Sequence, residues 1–397
     1  VGETYLTFRV RKGVFPVDRL RRSPGTFPRI RTVTREMFVR RGDPCVKLSI
    51  VDLATVAPGG TETGALADSL ETARHAEALG YHRIWFAEHH LSHSGASHHP
   101  ELLIAAASTQ TSRIRLGSGG VLMNHYSPFK VAEMFSQLEA MAPGRIDLGM
   151  GRATAGPVLD LALQQNREQP AQVSHQQQLM ETLAWLYESF PEGHPFADHP
   201  LGGARDPRAG IPQTWMLGSS PAGSALAAAL GIGYTFAGFI NPGGAVQALQ
   251  TYRATFQPQG HGLERPRAML AVNVTVGEDL EDGLRLADSP KGFYARLARA
   301  GRAAGQVTVP APEEAAGELT ADQRAEPTTI VDGRWPRFVA GGPDEVRATL
   351  EQMLEQTGAD ELMVQDLIAD PADRRRSHAL LAEALGVSPR TEPTAHR

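Results

Sequence analysis

From residue 46 onward the chain alternates between two textures. Short runs rich in β-branched residues occupy 46–53 (VKLSIVDL), 83–87 (RIWFA), 113–119 (RIRLGSG), 146–151 (IDLGMG), 214–217, 234–239, 269–276 (MLAVNVTV) and 361–365. Each is followed by a stretch whose apolar residues recur at helical spacing. Residues 65–79 place Leu66, Leu70, Ala73, Ala76 and Leu79 on one stripe, with Gly80 as a stop signal. Residues 128–141 place Val131, Met134, Phe135, Leu138 and Met141 on another, ended by Pro143-Gly144. The pattern predicts further helices at 100–110, 175–187, 222–230, 245–256, 344–356 and 371–385. Regularity lapses in 152–174, in the proline-rich 191–212, and in 278–337, which is helical only over 280–297.

Eight strand-plus-helix units imply parallel pairing, because each crossover helix returns the chain to the same end of the sheet. The expected architecture is an α/β fold, a (β/α)8 TIM barrel with insertions after strands four and seven. An open doubly wound sheet is the competing architecture. It would usually carry a glycine fingerprint at the first strand–helix turn, and TVAPGGTETG lacks GxGxxG spacing. The expected organisation is a basic extension over 1–45, the barrel over 46–386 and a flexible tail over 387–397.

Composition narrows the partners. The 397 residues are 41% hydrophobic and 21% charged, ordinary for a globular domain. No run approaches the roughly 18 apolar residues of a membrane span. Residues 1–43 hold eleven basic and four acidic side chains, a net of +7, which leaves 28 basic and 40 acidic residues for the remainder. That acidic body carries no electrostatic footprint for nucleic acid. The basic head reads as an extension, with a nucleic-acid arm or transit peptide as alternatives. It has no apolar segment that would make a secretory signal. One cysteine, Cys45, excludes an internal disulfide framework, and a cytoplasmic location is expected.

In a barrel, chemistry collects where strands end. Strand two ends in Glu88-His89-His90, strand three in Gly119-Gly120, strand four in Gly151-Arg152 and strand five in Gly218-Ser219-Ser220. The last is a candidate anion site, since free N–H groups and the helix dipole attract phosphate there. A plain Ser N-cap explains the same residues. Arg152 could supply a counter-charge, or form a surface salt bridge. His89, His90, His93, His98 and His99 lie close together, but residues following a strand diverge, HExxH spacing is absent and no metal is expected. An imidazole here suits a general base; solvated loop histidines are the alternative, favoured for His93 and His98. Gly119-Gly120 allows close approach of a flat ligand, or is simply a tight strand exit. Trp85, Phe86, Met123 and Met150 read as core.

These segments, namely FAEHH, ASHHPELLIAAAS, RIRLGSGGVLMNHYSPFKVAE, LEAMAPGRIDLGMGRA, WMLGSS and FVAGGPDEV, resemble the bacterial luciferase-like flavin monooxygenases over residues 46–385. The resemblance implies a barrel that binds FMN in its reduced form, FMNH2, delivered by a separate flavin reductase. O2 adds to the flavin, and the resulting C4a-peroxyflavin oxidises a small-molecule substrate. It makes His89 the catalytic base, within a catalytic set of Glu88, His89 and His90. It places a cis bond at Gly119-Gly120 beside the flavin ring. The implied cofactor-binding set is Gly119, Gly120, Met150, Gly151, Arg152, Gly218, Ser219 and Ser220. Luciferase has a cysteine where this chain has Gly151, and a phosphate-binding hydroxyl where it has Gly223; Ser224 offers a neighbouring hydroxyl. A homodimer is expected. F420 hydride transfer on the same barrel and a non-catalytic flavin-binding protein are the alternatives.

Overall fold

A computed structural model of the chain describes residues 46–152, 157–163, 174–201 and 210–389. The expected extension over 1–45, and the end of the expected tail, lie outside the described residues. Eight parallel strands close into a ring: β1 (Lys47–Asp52), β2 (Arg83–Phe86), β3 (Arg115–Ser118), β5 (Ile146–Gly151), β6 (Gln213–Gly218), β7 (Gly233–Ala237), β8 (Ala268–Val276) and β10 (Glu361–Gln365). Closure is explicit, because β10 pairs with both β8 and β1, matching Glu361 to Met269 and Lys47 to Glu361. The open-sheet alternative is therefore excluded, and the expected barrel stands. Two short strands add to the ring without joining it. β4 (Val121–Leu122) pairs with the end of β5, and β9 (Phe338–Gly341) pairs with β8 from Asn273 onward. The second was not expected: four residues at the end of a long irregular insertion give no periodic signal.

The helices follow their strands: α1 (Glu62–Leu79), α2 (Pro100–Ser108), α3 (Pro128–Met141), α4 (Pro157–Leu163), α5 (His175–Tyr187), α6 (Pro221–Leu230), α7 (Ala245–Thr255), α8 (Leu280–Ala300), α9 (Pro312–Glu318), α10 (Ala321–Arg324), α11 (Pro343–Thr357) and α12 (Pro371–Ala384). α1 starts one turn earlier than its apolar stripe suggests. Thr61 caps it by accepting a hydrogen bond from the Gly64 N–H, and Gly80 ends it in the left-handed conformation, φ 93°. The expected insertions are present: α4 lies between β5 and the predicted helix α5, and α8 to α10 follow β8.

Strand alternation sorts side chains into two layers. Leu48, Ile50, Ile84, Phe86, Leu148 and Met150 point outward and pack in the large core under the helices. Val51, Trp85, Ala87, Trp215, Met269, Ala271 and Met363 fill the barrel interior. One end of that interior is ionic. Arg83, buried on β2, donates from Nη1 to Asp147 (2.7 Å) and from Nε to Glu361 (2.7 Å). Asp147 also accepts from Trp85 Nε1 (3.0 Å) and from Arg115, and Ser49 donates to Glu361. Two guanidiniums thus face two carboxylates, so no net charge is left in a low-dielectric space. On the outer layer, Arg374 of α12 lies near Asp52 and Asp366. Burial pushes Asp366 up to about 7, and the Arg374 charge pulls against it.

Candidate active site

The opposite, C-terminal end of the ring gathers the polar strand ends. Along β2, Arg83, Trp85 and Ala87 face inward, and the same alternation brings His89 to the barrel mouth. Its backbone is fixed: the His89 N–H donates to the Ser97 carbonyl (2.9 Å), and the His89 carbonyl accepts from His98 Nδ1 (2.7 Å). Its ring has no hydrogen bond or ion pair among the described residues. The ring is open to solvent yet crowded by protein atoms. That crowding, followed by the charges of His90 and His98, holds its pKa below the usual imidazole value. The ring is therefore neutral near pH 7 and able to take a proton.

Glu88 and His90 turn the other way. The buried Glu88 carboxylate lies 2.8 Å from His90 Nε2 through Oε1 and accepts the Leu122 N–H (2.9 Å) through Oε2. The Tyr126 hydroxyl is pushed well above its usual pKa by burial and by the Glu88 charge. Both carboxylate oxygens are committed, so Glu88 ties β2 to β4 and His90 extends that tie. These two of the three expected catalytic residues are brought to the site's support and not to its open face. His90 in turn meets His98, His99 and His125 ring to ring. Among the described residues no group of histidines and acids has metal-binding geometry.

Next along the ring, the Gly119-Gly120 peptide is cis, as expected. Side chains are excluded from both positions. A Cβ on Gly119 would meet Val51 at 2.9 Å, and one on Gly120 would meet the Gly149 carbonyl at 2.8 Å. The backbone itself thus forms the wall there. Gly151 also faces the mouth, where a Cβ would find its nearest neighbour, the Val121 carbonyl, 3.8 Å away. Met150, expected among the cofactor contacts, does not line the mouth. It alternates outward and is fully buried in the outer core.

The β5–β6 register pairs Met150 with Met216, so Arg152 leaves its strand beside Gly218. Arg152 is exposed and forms no salt bridge among the described residues, so the surface ion pair weighed for it is not seen there. Ser220 is the N-cap of α6, accepting the Gly223 N–H at 3.4 Å. The cap reading and the anion-site reading are therefore compatible: a capped helix still presents free N–H groups and a positive dipole end. The loop is held from below by Asn241 Nδ2, which donates to the Ser219 carbonyl (3.0 Å), and by the Tyr234 hydroxyl, which donates to the Ser220 carbonyl (3.2 Å). Ser224 donates to the Pro221 carbonyl (2.7 Å), so its hydroxyl proton is spent inside the helix. His175, absent from the expected set, stands at the start of α5. Both its ring nitrogens are buried without partners among the described residues, and burial, followed by the Arg152 charge, lowers its pKa.

The sequence of residues 46–361 matches a family described as luciferase-like monooxygenase. This chain belongs to the luciferase-like monooxygenase family. It is 37% identical to the uncharacterized protein YceB of Bacillus subtilis over 85% of this chain and 99% of that protein. It is 32% identical to the N-acetyl-S-alkylcysteine monooxygenase of the same organism, over 86% and 98%. Among solved structures, apo-MsnO8 is 40% identical, with a TM-score of 0.77 over 87% of this chain and all of that one.

Across the ring from Arg152, β8 and β10 bring Asn273 and Gln365 inward. Gln365 Nε2 lies 3.5 Å from the Tyr294 hydroxyl of α8, and Asn273 Nδ2 donates to the Arg337 carbonyl (3.3 Å). The Arg337 guanidinium lies over the Tyr294 ring, 4.0 Å from its centroid. The sequence signal for this wall is Asn273, which shares a mostly apolar strand with one other polar residue, Thr275. A separate cavity of about 560 Å³ opens at the ionic end of the barrel, lined by Lys47, Arg253, Arg265, Arg267 and Asp360 among others. It touches none of the residues at the C-terminal mouth.

Proposed function

We propose that this chain is a flavin-dependent monooxygenase that uses reduced FMN and O2 to oxidise a small organic substrate, with a separate reductase supplying the reduced flavin. The observation that carries the reading is the pairing of His89, neutral at the mouth, with Arg152 beside the start of α6, neither held by an ion pair among the described residues. Family membership makes a flavin the group to test, and the residues present fit one. Arg152, Ser219 and the free N–H groups of α6 suit a phosphate. The side-chain-free Gly119-Gly120 backbone suits a flat ring. When bound, the reduced flavin supplies the two electrons with which O2 gives one oxygen atom to the substrate and one to water. His89 Nε2, the ring nitrogen farthest from the backbone, moves the proton that this chemistry requires. Glu88 and His90 hold the segment that carries it. The relative named for N-acetyl-S-alkylcysteine oxidation makes a thioether the first substrate to try.

The test is anaerobic titration of the full chain with photoreduced FMN and, separately, reduced F420, followed by mixing with O2 and N-acetyl-S-methylcysteine. Reduced FMN should bind, Arg152→Ala should weaken it at least tenfold, and His89→Ala should retain it while losing substrate oxidation. Preferential binding of F420, or an Arg152→Ala affinity equal to wild type, overturns the reading.

A further inference from the structure

We propose that the wall formed by Asn273, Tyr294, Arg337 and Gln365 receives the carboxylate of an anionic organic substrate, with Arg337 as the residue that selects for it. This rests on the flavin reading above and adds a substrate class to it. The wall lies at the C-terminal ends of β8 and β10, across the ring from Arg152, so a ligand there leaves the anion site at β5 and β6 free. Arg337 immediately precedes β9, whose first residue, Phe338, is in register with Asn273. The chain thus returns from the long insertion at this wall.

The guanidinium carbon lies over the Tyr294 ring, 4.0 Å from its centroid. An arginine seated over a ring in this way keeps N–H groups that match a carboxylate in bidentate geometry. No acidic side chain takes them: Arg337 has no ion pair among the described residues, and its side chain reaches only the buried Tyr294 hydroxyl, which leaves the rest of the fork for a ligand. An arginine held by an aromatic face, with no carboxylate on its donors, is a pre-oriented anion receptor. Tyr294 adds a second donor. Its hydroxyl oxygen faces the Gln365 amide at 3.5 Å, which leaves its proton available to a ligand. The wall is also short of one hydrogen bond. Asn273 is 3% exposed, and its Oδ1 has no donor among the described residues. A carboxylate cannot supply the missing donor, so an ordered water or an N–H or O–H elsewhere on the substrate completes this acceptor while the carboxylate meets Arg337. A lysine at 337 would keep the charge and lose both the stacking and the fork.

The experiment uses the full chain by calorimetry, first with FMN and then with three carboxylates of different body, N-acetyl-S-methylcysteine, benzoate and octanoate, each against its methyl ester. At least one acid should bind tenfold or more tightly than its ester. Arg337→Gln should reduce that preference below twofold, Arg337→Lys should keep part of it, and FMN affinity should stay within twofold in both. The proposal is overturned if no acid is preferred to its ester. It is equally overturned if the preference survives Arg337→Gln, which would send the anion to Arg265 and Arg267 at the other end of the barrel. Failure of FMN to bind would instead sink the flavin reading, and the acid–ester comparison is still read on the flavin-free chain.

Discussion

A single imidazole shows how burial sets chemistry. His89 and His90 are neighbours in sequence, yet one faces open space and the other is bound to Glu88, because an extended chain turns successive side chains apart. The histidine facing the mouth titrates low through crowding and through the positive charge of His90 and His98. It follows that its neutral, proton-accepting form persists below pH 6.5, where a free imidazole would already be half charged. An NMR titration of the His89 ring in the full chain should give a midpoint below 6.5. His98→Gln should move that midpoint upward, since one source of positive charge is gone. A midpoint at or above 6.5 would mean that the ring is solvated as any loop histidine is, and its assignment as the base would lose its physical support.

At the scale of elements, the β6–α6 junction separates two roles that sequence could not. Ser220 caps α6, whereas the Ser219 hydroxyl has no hydrogen bond among the described residues. Ser220→Ala should cost about 1 kcal/mol of stability, the usual loss for a removed N-cap. Ser219→Ala should leave the urea midpoint unchanged and weaken reduced FMN. Equal effects of both substitutions on stability and binding would mean that the loop acts only as a cap. The strands and helices themselves were legible, because core strands have apolar character on both faces and each helix has a single apolar stripe. The Gly151-Arg152 and Gly218-Ser219-Ser220 ends are legible as strand-end motifs, whereas the cis peptide follows from the family resemblance alone. What was not legible depends on residues far apart in the chain. Tyr294, Arg337, Asn273 and Gln365 meet across an insertion of sixty residues that is periodic only over 280–297, and β9 is too short to announce itself. His175 looked like the first residue of an ordinary helix.

Across the whole molecule the barrel carries charge at both ends for different purposes. At the mouth, Arg152 and Arg337 have no acidic partner among the described residues. At the other end, Arg83 and Arg115 are satisfied by Asp147 and Glu361 inside the ring, which fixes β2, β3, β5 and β10 against one another. The network draws on the first residues of RIWF and ELMVQ, Arg83 and Glu361, and on the second of IDLGMG, Asp147. Removing Arg83 would not strip the two carboxylates equally. Asp147 keeps Arg115 and the Trp85 N–H, but among the described hydrogen bonds Glu361 keeps the Ser49 hydroxyl alone. Arg83→Met should therefore cost about 3–5 kcal/mol, the range for a buried ion pair that loses one partner. Much of that loss belongs to a stranded Glu361, whose pKa would then rise on burial. A carboxyl with a raised folded-state pKa is favoured in its protonated form, so the penalty grows as pH rises through that value. Urea unfolding should show a larger loss at pH 8 than at pH 5, and Glu361→Gln in the Arg83→Met background should recover most of it and flatten the pH dependence. Because the network lies at the far end of the barrel, the His89 ring should titrate in the single variant as it does in wild type. A shifted His89 midpoint would show that the two ends are not independent, and that the ionic layer also tunes the mouth.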